Sequence, residues 1–238
     1  MTITERPVAA EHVPMTPLRK TALAAGVLYL LSFVSIPTLA LYSSVRGANY
    51  VTGPGPDTAV VVGGVLEMIV ALAGIGTAVA LYPVVKRQNR GMALGFVGTR
   101  TLEAATIVVG VASLMSIVTL RRAGAGADAL VTSHALVAQY DWMFTLGQSL
   151  MPAVNAVLIG SLLYRARLVP RVLPVLGFIG APLLVASDVA VMFDLWGRTD
   201  PQAGLAALPI AVWEFSLGVW LVVKGFKPSA VTTDMTTS

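Results

Sequence analysis

The run VVVGGVLEMIVALAGIGTAVALYPV, residues Val60–Val84, contains a single charged side chain, Glu67. A helix rises about 1.5 Å per residue, so about 20 apolar residues cross the roughly 30 Å hydrocarbon core of a bilayer. The run is long enough to do so. It therefore predicts a transmembrane helix that buries one carboxyl group.

Five further apolar runs lie before and after this one. The six predicted spans are Thr21–Leu41, Val60–Val84, Met92–Leu120, Tyr140–Tyr164, Val172–Phe193 and Leu205–Val223. The first exceeds the 7–15 apolar residues of a signal peptide and follows a long tail, so we interpret it as an anchor. Between the third and fourth, the Gly- and Ala-rich segment 121–138 is predicted to be a loop.

We therefore predict an all-α fold, a polytopic transmembrane helical bundle of about six spans. The bundle occupies 20–226, with a flexible tail at 1–19 and a disordered tail at 227–238. On the third span Gly91, Gly95 and Gly98 share one face, which predicts close contact with another helix there.

The composition agrees with a membrane protein and excludes several other classes. Charged residues make up 12% of the chain and apolar residues 56%, whereas a soluble domain carries about 25% charged residues. The net charge of +4 comes from Lys and Arg in short connections, not from one basic face, so we expect no nucleic-acid partner. Without cysteine, and with both histidines outside the apolar runs, we expect no metal or other cofactor.

Lys and Arg are distributed unevenly between the two sides of the predicted bundle. Eleven of the 16 lie in the N-terminal tail, the second-to-third loop, the fourth-to-fifth loop and the C-terminal end. Four lie in the other connections, and Arg100 lies within a span. Because positive residues accumulate in cytoplasmic loops, both termini are predicted to be cytoplasmic.

Five ionisable residues fall inside the apolar runs: Glu67, Arg100, Glu103, Asp188 and Glu214. Each charge at the bilayer centre costs about 2.5–3.5 kcal/mol, so such side chains face the bundle interior and pair. Arg100 and Glu103 are three residues apart and can meet on one helix. By depth, the acids share the outer half of the membrane. We predict an acidic cavity there that opens to the non-cytoplasmic side and binds a ligand or protons.

A secondary polar stripe follows the fourth span. Asp141, Thr145, Gln148, Pro152 and Asn155 are spaced by four, three, four and three residues, which keeps them on one helical face. Asp141, Gln148 and Asn155 are therefore candidates for a supporting polar surface. A purely structural role for this stripe is the simpler interpretation.

Several segments resemble a known family. The segment LYRARLVPR at 163–171 resembles the LYRSRLVPR junction of the bacterial six-span membrane family catalogued as domain of unknown function 4386. Arg100-Thr-Leu-Glu103-Ala resembles its R-x-x-E-A segment, and Pro209, Glu214 and the WLVVKG stretch at 220–225 resemble its last helix. The resemblance covers about residues 18–227. It implies a bacterial cytoplasmic-membrane protein with six spans, in which Arg100, Glu103 and Glu214 are family features.

Three functions stay open at this point. The first is binding or transport of a small molecule, ion or proton at the acidic cavity. The second is a structural or sensory membrane component without turnover. The third is an intramembrane carboxylate enzyme, which is disfavoured because the chain has no H-E-x-x-H or G-x-S-x-G motif and no cysteine. Expected partners are membrane lipids and a small-molecule or cation ligand, and the small-residue helix faces would allow a homo-oligomer.

Overall fold

A computed structural model describes residues 15–55 and 57–233 of the chain. These residues form helices and no strand. The helices are Pro17–Leu31, Thr38–Leu41, Asp57–Val85, Arg90–Arg122, Leu130–Met143, Leu150–Arg165, Val172–Met192, Pro201–Val223 and Ala230–Thr233, with 3-10 turns at Ser32–Ser35, Tyr50–Thr52 and Gly126–Ala129 and a π-helix at Phe144–Ser149. The predicted tails fall largely on 1–14 and 234–238, outside the described residues.

Within the described residues, six helical segments are long and apolar enough to cross a membrane, which confirms the predicted all-α bundle. Spans one to six are Pro17–Leu41, Asp57–Val85, Arg90–Arg122, Gly126–Arg165, Val172–Met192 and Pro201–Val223. An even number of spans puts the start of span one and the end of span six on one side, which we call the terminal face. We call the other side the opposite face.

The spans form a closed ring. Each packs against its neighbours in the chain, and span one packs against span six. The largest hydrophobic core lies in the terminal half of the ring, around Trp213, Leu81, Phe96 and Leu162. A smaller cluster around Tyr42 and Tyr140 lies near the opposite face. The interior is thus sealed by apolar packing toward the terminal face.

The predicted loop at 121–138 is wrong, because a helix begins at Leu130 and continues into span four. Gly124 and Gly126 confine the turn to a few residues. Their φ angles of 68° and 62° are ones that glycine adopts readily, and they lie between the end of one helix and the start of the next. Beyond them the segment is rich in alanine and other residues that tolerate a helix well.

Span four changes its winding in the middle, from α-helix to π-helix at Phe144–Ser149. The cause lies just beyond, at Pro152. Proline has no N–H to donate to the carbonyl of Gln148, four residues earlier, and its ring crowds that carbonyl. A wider turn relieves both problems, and π-turns of this kind are frequent at functional sites.

Span one is interrupted in its last third. The α-helix ends at Leu31, and a 3-10 turn, Ser32–Ser35, leads to Pro37 and a short helix, Thr38–Leu41. Hydroxyl groups compensate for the broken backbone pattern, since Ser32 donates to the Tyr29 carbonyl at 2.6 Å. The interruption places non-helical backbone beside the bundle interior.

The predicted close contact at Gly91, Gly95 and Gly98 is present only at Gly95, where an added Cβ would lie 3.5 Å from Leu158 of span four. Gly98 is exposed, and a Cβ added to it would have no neighbour within 4 Å. Close approach occurs instead at Gly147, where an added Cβ would overlap Thr106, and at Gly180, where it would lie 2.8 Å from Ile210. Residue size along one span does not reveal which face a partner helix will cover.

An ion-pair cluster joins spans two and three at the opposite face. The Asp57 carboxylate accepts hydrogen bonds from Arg121 at 2.9 Å, Arg122 at 3.0 Å and Tyr50 at 2.7 Å. We expect Asp57→Asn to lower the melting temperature of the detergent-purified protein, because three donors lose a charged acceptor. Asp128→Asn, which removes an exposed carboxylate on the same face, is the matched control. Equal melting temperatures for the two variants would contradict a stabilising role for this cluster.

Candidate functional site

Three of the predicted site residues meet at the centre of the ring. Arg100 of span three donates through Nη1 to Glu103 Oε2 at 3.1 Å and through Nη2 to Glu214 Oε1 of span six at 2.7 Å. The exposed fractions of the three residues are 3%, 7% and 9%. The predicted Arg100–Glu103 pair is therefore present. A second carboxylate, from the far side of the ring, completes what we call the central cluster.

Neighbouring side chains hold the central cluster in place. The Asn155 amide donates to Glu103 Oε2 at 2.9 Å. The Arg100 guanidinium lies over the rings of Tyr29, 5.3 Å from the centroid, and Phe96, at 5.7 Å. Arg100 Nε makes no hydrogen bond to any described residue. One positive group facing two carboxylates leaves the cluster with one unbalanced negative charge when both carboxylates are ionised.

The central cluster lines a cavity of about 180 Å³, which we call the central cavity. Its walls come from the interrupted part of span one, from Gln148 and Pro152 beside the π-helix, and from Leu184 and Ala207 of spans five and six. The two irregular backbone segments thus border the same space. Non-helical backbone within a membrane is tolerated where it is buried in protein or lines a cavity.

Glu67 lies apart from the central cluster. It is fully buried between spans two and four, and it accepts a hydrogen bond from the Tyr140 hydroxyl at 2.6 Å. Tyr140 in turn lies beneath the guanidinium groups of Arg46 and Arg198, at 5.5 and 5.7 Å from its ring centroid. Glu67 is therefore surrounded by aromatic and cationic side chains on the side of the bundle nearer the opposite face.

Asp188 also lies apart from the central cluster, in a separate cavity of about 270 Å³ that we call the Asp188 cavity. Its Oδ1 accepts a hydrogen bond from Ser149 at 2.6 Å, and its Oδ2 makes none to any described residue. Leu184 and Ala207 line both cavities, so the two spaces are neighbours. The five buried ionisable residues thus occupy three positions, not one shared site.

The polar stripe of span four faces the interior, and its members have different neighbours. Asn155 contacts Glu103, whereas Gln148 lines the central cavity. Asp141 lies at the opposite face, where it accepts a hydrogen bond from Arg46 at 2.9 Å and pairs with Arg198 at 3.1 Å. The stripe therefore extends from the opposite face to the central cluster.

Sequence reasoning missed Arg46 and Arg198, which it counted only as loop cations. Burial lowers the pKa of Arg198, although Asp141 opposes that effect. For Arg46 the hydrogen bond and charge of Asp141 outweigh burial and raise the pKa. Arginine guanidinium groups are effectively always protonated in proteins, so both groups are treated as positive charges. No local sequence pattern distinguishes them from the other loop arginines.

Among the described residues, no group of three or more His, Asp or Glu side chains could hold a metal ion. The model of the family described as Domain of unknown function (DUF4386) matches residues 24–225. No curated protein and no solved structure matches the chain. The family match extends from span one to span six and includes every residue of the central cluster.

Proposed function

This chain belongs to the DUF4386 family, and we propose that it binds or transports a small molecule, ion or proton at the central cluster. Arg100, Glu103 and Glu214 are the binding groups, and Asn155 positions Glu103. Glu67 and Asp188 lie nearer the opposite face, outside this site.

The excess of carboxylates over guanidinium groups in the central cluster is the observation that supports the proposal. A structural clamp between spans three and six is complete with one carboxylate on one guanidinium. Here two carboxylates face Arg100 beside an open space of about 180 Å³. An unbalanced buried carboxylate is costly, so it takes up a proton or a cation. Exchange of that proton or cation is the elementary step of coupled transport.

The packing supports access to the cavities from the opposite face. The main hydrophobic core packs the terminal ends of the spans, whereas both cavities are lined by residues from the opposite end of span one, Ile36 at the central cavity and Leu39 at the Asp188 cavity. Together with the Lys and Arg bias toward the terminal face, this supports a protein of the bacterial cytoplasmic membrane with cytoplasmic termini. The cavities then open to the non-cytoplasmic side.

The test is the melting temperature of the detergent-purified protein across pH, Na⁺, Mg²⁺, alkylammonium ions and phospholipids. We expect at least one of these to raise the melting temperature of the wild type but not of Glu103→Gln. The variant should fold, because Arg100 keeps Glu214 at 2.7 Å and one charge then balances one charge. Asp128→Asn, at an exposed position, should respond like the wild type. A ligand response that persists in Glu103→Gln and in Glu214→Gln would refute this site.

A structural role without turnover is the second candidate. It is favoured by the position of Arg100, which ties span three to span six across the ring. In that case Glu103→Gln would lower the melting temperature without changing the response to any added ligand. The same set of measurements therefore separates the two functions.

A further inference from the structure

The Asp188 carboxyl group is buried and has no counter-ion among the described residues. Asp188 is 6% exposed, and its one hydrogen bond comes from the neutral Ser149 hydroxyl. Oδ2 makes no hydrogen bond, and no Lys or Arg of the described residues forms an ion pair with Asp188. A polar group buried in this way is costly unless a partner satisfies it. Because Asp188 lines the cavity, that partner can come from the cavity.

The other charged residues along this cavity leave it negative. Arg198 lines it, but its guanidinium pairs with Asp141 at 3.1 Å and lies 4.2 Å from the centroid of the Phe144 ring. Asp200 also lines the cavity, and its carboxylate accepts a hydrogen bond from the Gly197 amide at 2.8 Å. Two carboxylates and one guanidinium give a net charge of minus one, which a monovalent cation would balance.

The walls of the Asp188 cavity are largely apolar. They include Leu39, Phe144, Leu184, Val191 and Ala207. Mg²⁺ or Ca²⁺ takes about six or more oxygen ligands. The cavity offers the carboxylates of Asp188 and Asp200 and a few hydroxyl groups, and no group of three or more His, Asp or Glu side chains among the described residues could hold a metal ion. An organic cation suits these walls better, since its hydrocarbon part packs against them. The volume of the Asp188 cavity, about 270 Å³, is roughly nine times the volume that one water molecule occupies in liquid water.

From these observations we infer that the Asp188 cavity binds a small organic ammonium ion with an apolar body. The ammonium group pairs with the Asp188 carboxylate at the cavity wall, and the body packs between spans five and six. The site does not share a polar contact with Arg100, Glu103 or Glu214. Binding at the Asp188 cavity is therefore independent of whether the central cluster transports a ligand.

The probe is cyclohexylammonium, which is protonated at neutral pH, with cyclohexanol as its neutral counterpart. Binding is measured by isothermal titration calorimetry of the purified protein in detergent. We expect saturable binding of the cation and none of the alcohol. Asp188→Asn should weaken binding about tenfold or more, because charge-assisted hydrogen bonds are roughly twice as strong as neutral ones.

If Asp188→Asn does not fold, a variant that blocks the cavity with a larger side chain tests the same site. Gly204 lines the cavity, and a Cβ added to it would meet nothing within 4 Å. Gly204→Leu should therefore fill the space and abolish binding without altering any charge. Gly98→Leu is the matched control, because its Cβ is equally free and it lies outside the cavity. It should bind the cation like the wild type.

The outcome for Glu103→Gln separates this inference from the function proposed above. Binding that survives in Glu103→Gln and is lost in Gly204→Leu supports the Asp188 cavity as its own site. Binding that survives in Gly204→Leu and is lost in Glu103→Gln overturns the inference and places the cation at the central cluster. Equal heats for the cation and the alcohol, or no saturable binding of the cation, also overturn it.

Discussion

Replacing Arg100 with glutamine is expected to lower the free energy of unfolding by about 3–5 kcal/mol, the usual cost of removing one partner from a buried ion pair. The guanidinium is 3% exposed and compensates two carboxylates at 3.1 and 2.7 Å. Without it, Glu103 and Glu214 face each other across the central cavity with no positive charge. Reversible unfolding in mixed micelles would measure the loss.

The matched control for this prediction removes all three charges together. In Arg100→Gln/Glu103→Gln/Glu214→Gln no unpaired carboxylate is left, so the triple variant should recover much of the stability that Arg100→Gln loses. Glutamine keeps a hydrogen-bond acceptor for the Asn155 amide, which donates to Glu103 at 2.9 Å in the wild type. If the triple variant is less stable than the single one, the ion pairs themselves stabilise the bundle, and unpaired carboxylates are not the cause of the loss in Arg100→Gln.

The second large effect is expected at Gly147, inside the π-helix of span four. An added Cβ would overlap the Thr106 hydroxyl oxygen and lie 2.6 Å from Thr106 Cβ on span three. Thr106 cannot easily move away, because its hydroxyl donates to the Glu103 carbonyl at 2.7 Å. Overpacking of this kind costs about 1–3 kcal/mol, occasionally more. We therefore expect Gly147→Ala to lower the free energy of unfolding by at least the lower end of that range.

Gly98→Ala is the control for Gly147→Ala, since its Cβ would enter open space. In a helix interior, alanine is favoured over glycine by about 0.8–1.0 kcal/mol, so this control should be neutral or slightly stabilising. Adding Thr106→Ala to Gly147→Ala removes the overlap with the hydroxyl and should restore part of the loss. The close contact between spans three and four is disproved if Gly147→Ala is as stable as Gly98→Ala.

The two predictions concern the same region of the bundle. Thr106 lies one helical turn beyond Glu103, so the Gly147 contact fixes span three against span four next to the central cluster. A shift at this contact would also change the distance between Asn155 and Glu103. Ligand binding at the central cluster should therefore be weaker in Gly147→Ala, even at temperatures where that variant remains folded.

The class of protein and the position of each span along the chain can be predicted from the sequence. Both depend on local properties, because a long apolar run must cross the bilayer and its charged ends mark its borders. The Arg100–Glu103 pair was predictable for the same reason, since residues three apart on one helix always lie close together. The helical start of span four was missed because a Gly- and Ala-rich composition suits a turn as well as a helix.

Which buried charges meet depends on how the helices pack in three dimensions. Glu214 reaches Arg100, whereas Glu67 pairs with Tyr140 and Asp188 with Ser149. Depth in the membrane did not distinguish these acids, because their partners depend on how each helix is rotated and which helix it faces. That rotation results from close packing between helices, as at Gly147 and Thr106. The pairing of Asp141 with loop residues Arg46 and Arg198 likewise arises only when the ring closes and brings distant loops together.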